Sequence, residues 1–388
     1  PADAAFANGT FAHSLDFDDT HLGSSLHPAA PTIAAALAAA EAANASVERF
    51  YAAIAAGYDV ACTVGELVGP NAHYARGFHI TATCGTFGAV AAAGVASGLA
   101  EAELRDAFGI AGSQAAGSIQ FLENGAWNKR LHPGLAARRG IEATTLAAAG
   151  VVGAEAPIDG EYGFLAGYTP DPDHAAIDRL ETRDAVAETG LKPYPCCRYL
   201  HAAIDGLREL APSIETRAVS AVEMAVPSPG VRLTGDPIEA KRRPQSFVDC
   251  QFSAPFVAAL TLETGTADTT TFLDAVGQGD GPPRWGTTTT RRLMDATSVT
   301  TDETIERRFP EEWGARVSVQ ADGETHSATV RIPAGEPGAP LTDGEVKAKT
   351  AALLRGSGVD PDRLSTTLLE REPQSVAAIV DAATSDGG

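Results

Sequence analysis

From Pro31 to about Val152 apolar positions return with a helical period, and most of them are alanine. VERFYAAIAAGYDVACTVGELV (47–68) follows Ser46, whose hydroxyl is suited to accept the first free N–H of a helix. GTFGAVAAAGVASGLA (85–100), EAELRDAFGIAGSQAAG (101–117) and GLAARRGIEATTLAAAGVV (134–152) read as further helices. Gly and Ala recurring on their faces let axes approach closely, which predicts a helical body rather than a sheet. Beyond the turn-rich DGEYGFLAGYTPDPDHAA (159–176) the period changes near Lys192. AVSAVEMAVP (218–227) alternates, with Val222, Met224 and Val226 on one face, and RVSVQADGETHSATVRIP (316–333) reads as two strands turning at Asp322-Gly323. RYLHAAIDGLREL (198–210) and APFVAALTLE (254–263) are helical between them. GQGDGPPRWG (277–286) reads as a loop without the strand-before, helix-after context of a dinucleotide site. Helical period returns in GEVKAKTAALLRGSG behind Thr342, a further cap. The pattern predicts a mainly α fold with an inserted α+β domain: a first helical segment over 1–187, an α+β part over 188–337, and a helical C-terminal segment over 338–388 that rejoins the first body.

Charge narrows the partners. The chain has 388 residues and a formal net charge of −21, which repels phosphate backbones and anionic lipid, so neither nucleic acid nor a membrane surface is expected. Of 29 basic residues only Lys129, Lys192, Lys241, Lys347 and Lys349 are lysine. An acidic, lysine-poor surface is the composition of a protein adapted to high salt. Five cysteines without a C-x-x-C pair make neither a disulfide framework nor a zinc or iron–sulfur site, and the expectation is a reducing cytoplasm. No apolar run is read as long enough for a membrane span. Opening on Pro1 without methionine, the sequence is expected to continue a longer chain.

Four stretches concentrate chemistry. HSLDFDDTHLGSSLHP (13–28) holds His13, Asp16, Asp18, Asp19, His21 and His27 in no recognised zinc or calcium spacing, so no metal is expected. A carboxylate and an imidazole brought together can shuttle a proton; the alternative is that Asp18, Asp19 and Thr20 cap helices. In RGFHITATCGTFGA (76–89) His79 precedes a helix start able to hold an anion, unless it only packs or caps. NGAWNKRLHPGLAARRG (124–140) gathers Lys129, Arg130 and His132 before Pro133, a residue of first helical turns. Cations at a helix start oppose its dipole and suggest an anion between them, the alternative being a solvated basic patch. In LKPYPCCRYLHAAIDG (191–206) Arg198 and His201 share a helical face, with Lys192 in extended backbone before them; Cys196 and Cys197 read as packing residues. No G-x-S-x-G or P-loop is present. Asp, His, Lys and Arg remain, an inventory suited to proton abstraction beside a carboxylate.

Laid in order, these stretches together with RPQSFVDCQFSAPFVAAL and GAPLTDGEVKAK resemble the MmgE/PrpD family over nearly the whole chain. The resemblance implies a helical domain built from both ends of the chain, an α+β lid domain, a homodimer, no cofactor or metal, and a small polycarboxylate substrate. It also implies a further helical segment ahead of Pro1. By its motifs Asp16, His27, His79, Lys129 and Lys192 are the catalytic candidates. Thr20, Arg130, His132, Cys197, Arg198 and His201 are expected around the substrate. Two departures stand out: the Thr20-to-His27 spacing is one residue longer than in decarboxylase members, and Cys197 stands where those carry a histidine. The leading expectation is dehydration of a hydroxy-polycarboxylate such as 2-methylcitrate. Decarboxylation of a cis-aconitate-like acid and epimerisation of an imino-dicarboxylate are the alternatives, with an inactive scaffold protein as the reading of another class.

Overall fold

The computed structural model describes residues 1–123, 126–277, 284–370 and 373–384. Two compact units divide it, Pro1–Gly190 with Leu354–Gly388, and Leu191–Leu353.

The first unit is built around α1 (Ala2–Ala12), α2 (Ala29–Ala43), α3 (Val47–Leu67), α4 (Ile80–Ser97), α5 (Glu101–Gly112) and α6 (Asn128–Ala148). Ser46 caps α3 as its sequence predicts, accepting from the Arg49 amide at 3.3 Å. Helix α4 is buried on nearly every side and packs against α2, α3 and α6. Its small residues make this possible: a methyl added at Gly88 would come within 2.6 Å of the Ala61 Cβ and 2.7 Å of the Gly57 carbonyl. The sequence reading found no apolar run of spanning length, yet α4 is long and apolar enough by length and composition. Its dilution by Gly and Thr hid the run, and 89% of its apolar window is buried inside the protein. Two alanine-rich cores flank it, one around Tyr58, Phe87 and Phe164, the other around Ala35, Phe50 and Ile141. The tail helix Val376–Ala382 supplies Val376 and Ile379 to the second of these. The connector read as turns contributes Phe164 and Tyr168 to an aromatic stack, ring centroids 4.5 Å apart. Helix α6 begins at Asn128, so Pro133 lies inside it rather than in its first turn. Lacking an N–H, Pro133 cannot donate to the Lys129 carbonyl four residues back.

In the second unit β1 (Val219–Ala225), β2 (Thr297–Thr300), β3 (Ala315–Ala321) and β4 (Glu324–Val330) form one sheet in the order β2-β1-β3-β4. β1 and β2 are parallel; the other pairs are antiparallel. Asp322 and Gly323 both have positive φ, 52° and 81°, which closes the β3–β4 hairpin at the predicted dipeptide. Val222, Met224 and Val226 are buried, as their alternation requires. Helix α7 (His201–Leu210) lies against β3 and β4, and α8 (Ala254–Thr264) packs beside it. The loop at 277–286 falls largely on residues 278–283, which lie outside the described residues. Thr342 and Glu345 form a reciprocal cap ahead of Asp343–Leu353, the Thr342 amide donating to Glu345 Oε2 at 2.8 Å.

Candidate active site

The stretch 13–28 folds as an irregular loop tied across its own base. The amide of His21 donates to the Leu26 carbonyl at 2.9 Å, and Phe17 and Leu26 are buried beneath. This turn carries His27 back over Asp16, Asp18 and Asp19. Asp16 sits at φ 51°, a left-handed conformation unusual for a residue with a side chain and one that concentrates at functional sites. Asp19 is the anchor: one carboxylate oxygen accepts from the Ala29 amide at 3.0 Å and the other from the Tyr58 hydroxyl at 2.7 Å. Its capping role follows the structural alternative, while Asp18 faces the site.

His27 donates from Nδ1 to the Asp19 carbonyl at 2.6 Å, which leaves Nε2 with a lone pair 3.8 Å from Asp16 Oδ1. Thr20 Oγ1 stands 3.4 Å from the same Nδ1. Burial drives His27 down to about 3, against the pull of Asp18. The ring is therefore neutral at neutral pH. Lys129, in the first turn of α6, places Nζ 2.8 Å from Asp16 Oδ1. Pairing with a buried carboxylate accounts for a cation where the helix dipole disfavours one.

His79 precedes α4, its amide bound to the Gly117 carbonyl at 2.8 Å and its Nδ1 2.9 Å from His132 Nδ1. Burial, and then each other's proximity or that of further imidazoles, lowers both, His132 to about 4. With one proton between the facing nitrogens, one ring presents a bare Nε2 and the other a protonated one: an acceptor beside a donor. Gly117 has no room for a side chain, since a Cβ there would be 2.3 Å from that of Ala82 and 3.5 Å from His132 Cε1.

His13, which the sequence reading did not carry into its site, lies between these groups. Its ring is 4.8 Å from that of His27 and 6.2 Å from that of His79, and its Nδ1 donates to Asp18 Oδ2 at 2.7 Å. Burial pushes the Asp18 carboxyl up, but the His13 and His27 imidazoles bring it down to about 2. His13, Asp16, Asp18 and His27 each offer a donor atom within 4.8 Å of the others. A metal fits this set poorly, because the Lys129 ammonium already stands against Asp16 and supplies the positive charge. Arg130 lies over the Trp127 ring at 4.7 Å. His21 is drawn elsewhere, to Ser24 at 2.8 Å and Glu188 at 3.3 Å beside Arg183.

Asp16, Thr20, His27, His79, Lys129 and His132 thus converge within the first unit. The candidates of the second unit are differently engaged. Lys192 is fully buried, and its carbonyl accepts from Lys349 Nζ at 2.9 Å. Arg198 was expected around the substrate; instead its guanidinium is committed to buried Glu336, with Nε 2.7 Å from Oε1. His201 accepts from Arg198 at 2.7 Å and donates from Nε2 to the Cys196 carbonyl at 3.3 Å, so both ring nitrogens serve this internal network. A buried carboxylate demands such partners. Cys197 is buried, its amide held by the Gln251 carbonyl at 2.9 Å. Burial raises the thiols of Cys62, Cys84 and Cys250, which disfavours thiolate chemistry there.

Residues 1–177 match the MmgE/PrpD N-terminal domain and residues 194–371 the MmgE/PrpD C-terminal domain. Among curated proteins, the cis-aconitate decarboxylase-like protein oryM of Aspergillus oryzae is 26% identical over 94% of this chain and 77% of its own length. The cis-aconitate decarboxylase of Homo sapiens is 37% identical over 43% of this chain and 35% of its own. That of Mus musculus is 28% identical over 70% of this chain and 57% of its own. Matches to the two mammalian enzymes therefore span less than two thirds of those proteins.

Proposed function

This chain belongs to the MmgE/PrpD family, and on that premise we propose that it is a lyase of small polycarboxylates, decarboxylating a cis-aconitate-like acid. The reading rests on one observation: the Lys129 ammonium, 2.8 Å from Asp16, shares its site with neutral imidazoles, His27 bare at Nε2 and the His79–His132 pair offering one bare and one protonated Nε2. The names of the curated relatives support the same direction.

Loss of carbon dioxide from the carbon beside the alkene breaks a C–C bond and leaves its electron pair spread over an allylic carboxylate. The Lys129 ammonium balances that charge. A proton delivered to carbon completes the reaction, and the imidazoles of His27 or His79 are the donors once the bound polyanion has drawn a proton onto them. The sequence reading gave His27 the donor role in a dehydration; its resting ring is neutral, so it acts as donor only after taking up that proton.

Dehydration of a 2-methylcitrate-like acid is the second reading, favoured by Cys197 in place of the histidine implied for decarboxylase members. It needs the opposite first step, removal of a proton next to a carboxylate, followed by departure of hydroxide as water. Incubating the protein with cis-aconitate and with 2-methylcitrate in heavy water, followed by proton NMR, separates the two. Decarboxylation gives carbon dioxide and one deuterium per product; dehydration gives a new alkene without carbon loss. Inertness toward both acids, with no deuterium exchange, refutes the lyase reading.

A further inference from the structure

We propose that His13 and Asp18 are a proton relay behind His27, a positioning pair for the lyase reaction on which this inference rests. His13 and Asp18 side chains are 0% and 5% exposed and 2.7 Å apart. Donation from Nδ1 to an ionised carboxylate leaves Nε2 as the lone-pair nitrogen. That atom is buried with no hydrogen-bond partner, as is Asp18 Oδ1. Orphaned buried polar atoms are costly and call for a use. Here the use is a proton during turnover: the ring centroid is 4.8 Å from that of His27 and 6.2 Å from that of His79, and one of its nitrogens lies within 4.8 Å of one on His27, within reach of a single bridging water.

The groups facing His13 are Asp18, His27, His79, His132 and Asp16, with the Lys129 ammonium against Asp16. The Asp18 carboxylate, 2.7 Å from Nδ1, stands where it balances a second proton on the ring. After His27 has given its proton to carbon, the Nε2–H bond of the His13 imidazolium breaks and an N–H bond forms on His27 Nε2. His13 then regains a proton from solvent. One proton is consumed per carbon dioxide released, and Asp18 remains ionised throughout.

The test uses the full chain with His13→Ala and the isosteric Asp18→Asn. Both are expected to lose about 10- to 100-fold in kcat with KM within about threefold, and to move the acid limb of the kcat profile. Added imidazole should restore part of the rate to His13→Ala and none to Asp18→Asn. A loss without rescue and with an unmoved pH profile means a merely structural role and overturns the relay, as does kcat within twofold of the parent. If circular dichroism shows His13→Ala unfolded, the profile of Asp18→Asn decides. If the parent protein turns over no tricarboxylate, the lyase reading fails, and the relay is judged by 15N spectra of histidine-labelled protein. His13 protonated at Nδ1, and altered by Asp18→Asn, supports it; a neutral ring protonated at Nε2 alone overturns it.

Discussion

At the scale of single residues, the site depends on charges that balance only in company. Replacing Lys129 with methionine leaves Asp16 buried without its cation, so kcat/KM should fall at least about 100-fold and the fold should lose about 1–3 kcal/mol. Lys129→Arg should recover stability before activity; steady-state kinetics and urea unfolding measure both. Buried histidines set the acid behaviour: His27 at about 3, His73 and His132 at about 4, with His79 and His21 also held down, all lowered chiefly by burial. Each binds a proton more readily unfolded, where its value is near 6.5, so folding stability is intact above that and lost as pH falls toward 4. The unfolding free energy from urea titration should drop between pH 7 and pH 5 by up to about 1.4 kcal/mol per pH unit per histidine. A flat profile removes the burial argument. The Lys129, His79 and His27 placements were legible because their motifs mark them. His13 and Asp18 were not, because they meet within an irregular loop that has a left-handed residue between them and no period to read. Arg198 and His201 were correctly put on one face, but Glu336 lies 138 positions away and no local signal announces it.

At the scale of elements, helix α4 was predicted from its alanines, yet its start at Ile80 and the start of α6 at Asn128 came earlier than the apolar pattern suggested. Both first turns carry polar side chains that serve the site, so hydrophobic period fails where function begins. The glycines of α4 are close-contact residues. Gly88→Ala forces a methyl onto the Gly57 carbonyl, where backbone cannot yield cheaply, and should cost about 2–3 kcal/mol. Gly77 has φ +85° with nothing within 4 Å, so Gly77→Ala pays only conformational strain, about 1 kcal/mol. Chemical denaturation of the pair checks the order; equal losses contradict the packing account. Gly117→Ala should also cost stability, because its methyl would lie 2.3 Å from the Ala82 Cβ.

At the scale of the whole molecule, the mainly α character and the mixed sheet both follow from the change of period near Lys192. Asp343–Leu353 is helical like the segments that follow it, and its contacts group it with the second unit. The net charge of −21 predicts self-repulsion that salt relieves. The melting temperature should rise by at least about 5 °C between 0.1 M and about 2 M potassium chloride. Chloride is the right anion, since sulfate would stabilise most proteins by exclusion. A melting point that is flat or falling in chloride contradicts the salt-adapted reading of the composition. Binding gives a second global readout. A multiply negative ligand arriving among imidazoles held neutral should take up protons, so calorimetric binding enthalpies for a tricarboxylate should depend on the buffer; independence from the buffer contradicts the neutral cluster.

The grip of the Asp19 carbonyl on His27 has a consequence for inheritance. A peptide oxygen is present whatever amino acid the codon specifies, so drift at position 19 can unfasten the cap on Ala29 and the tie to Tyr58 while the imidazole keeps the same reactive edge outward. Selection guards that orientation through the path of the chain, and a comparison of letters alone passes over it.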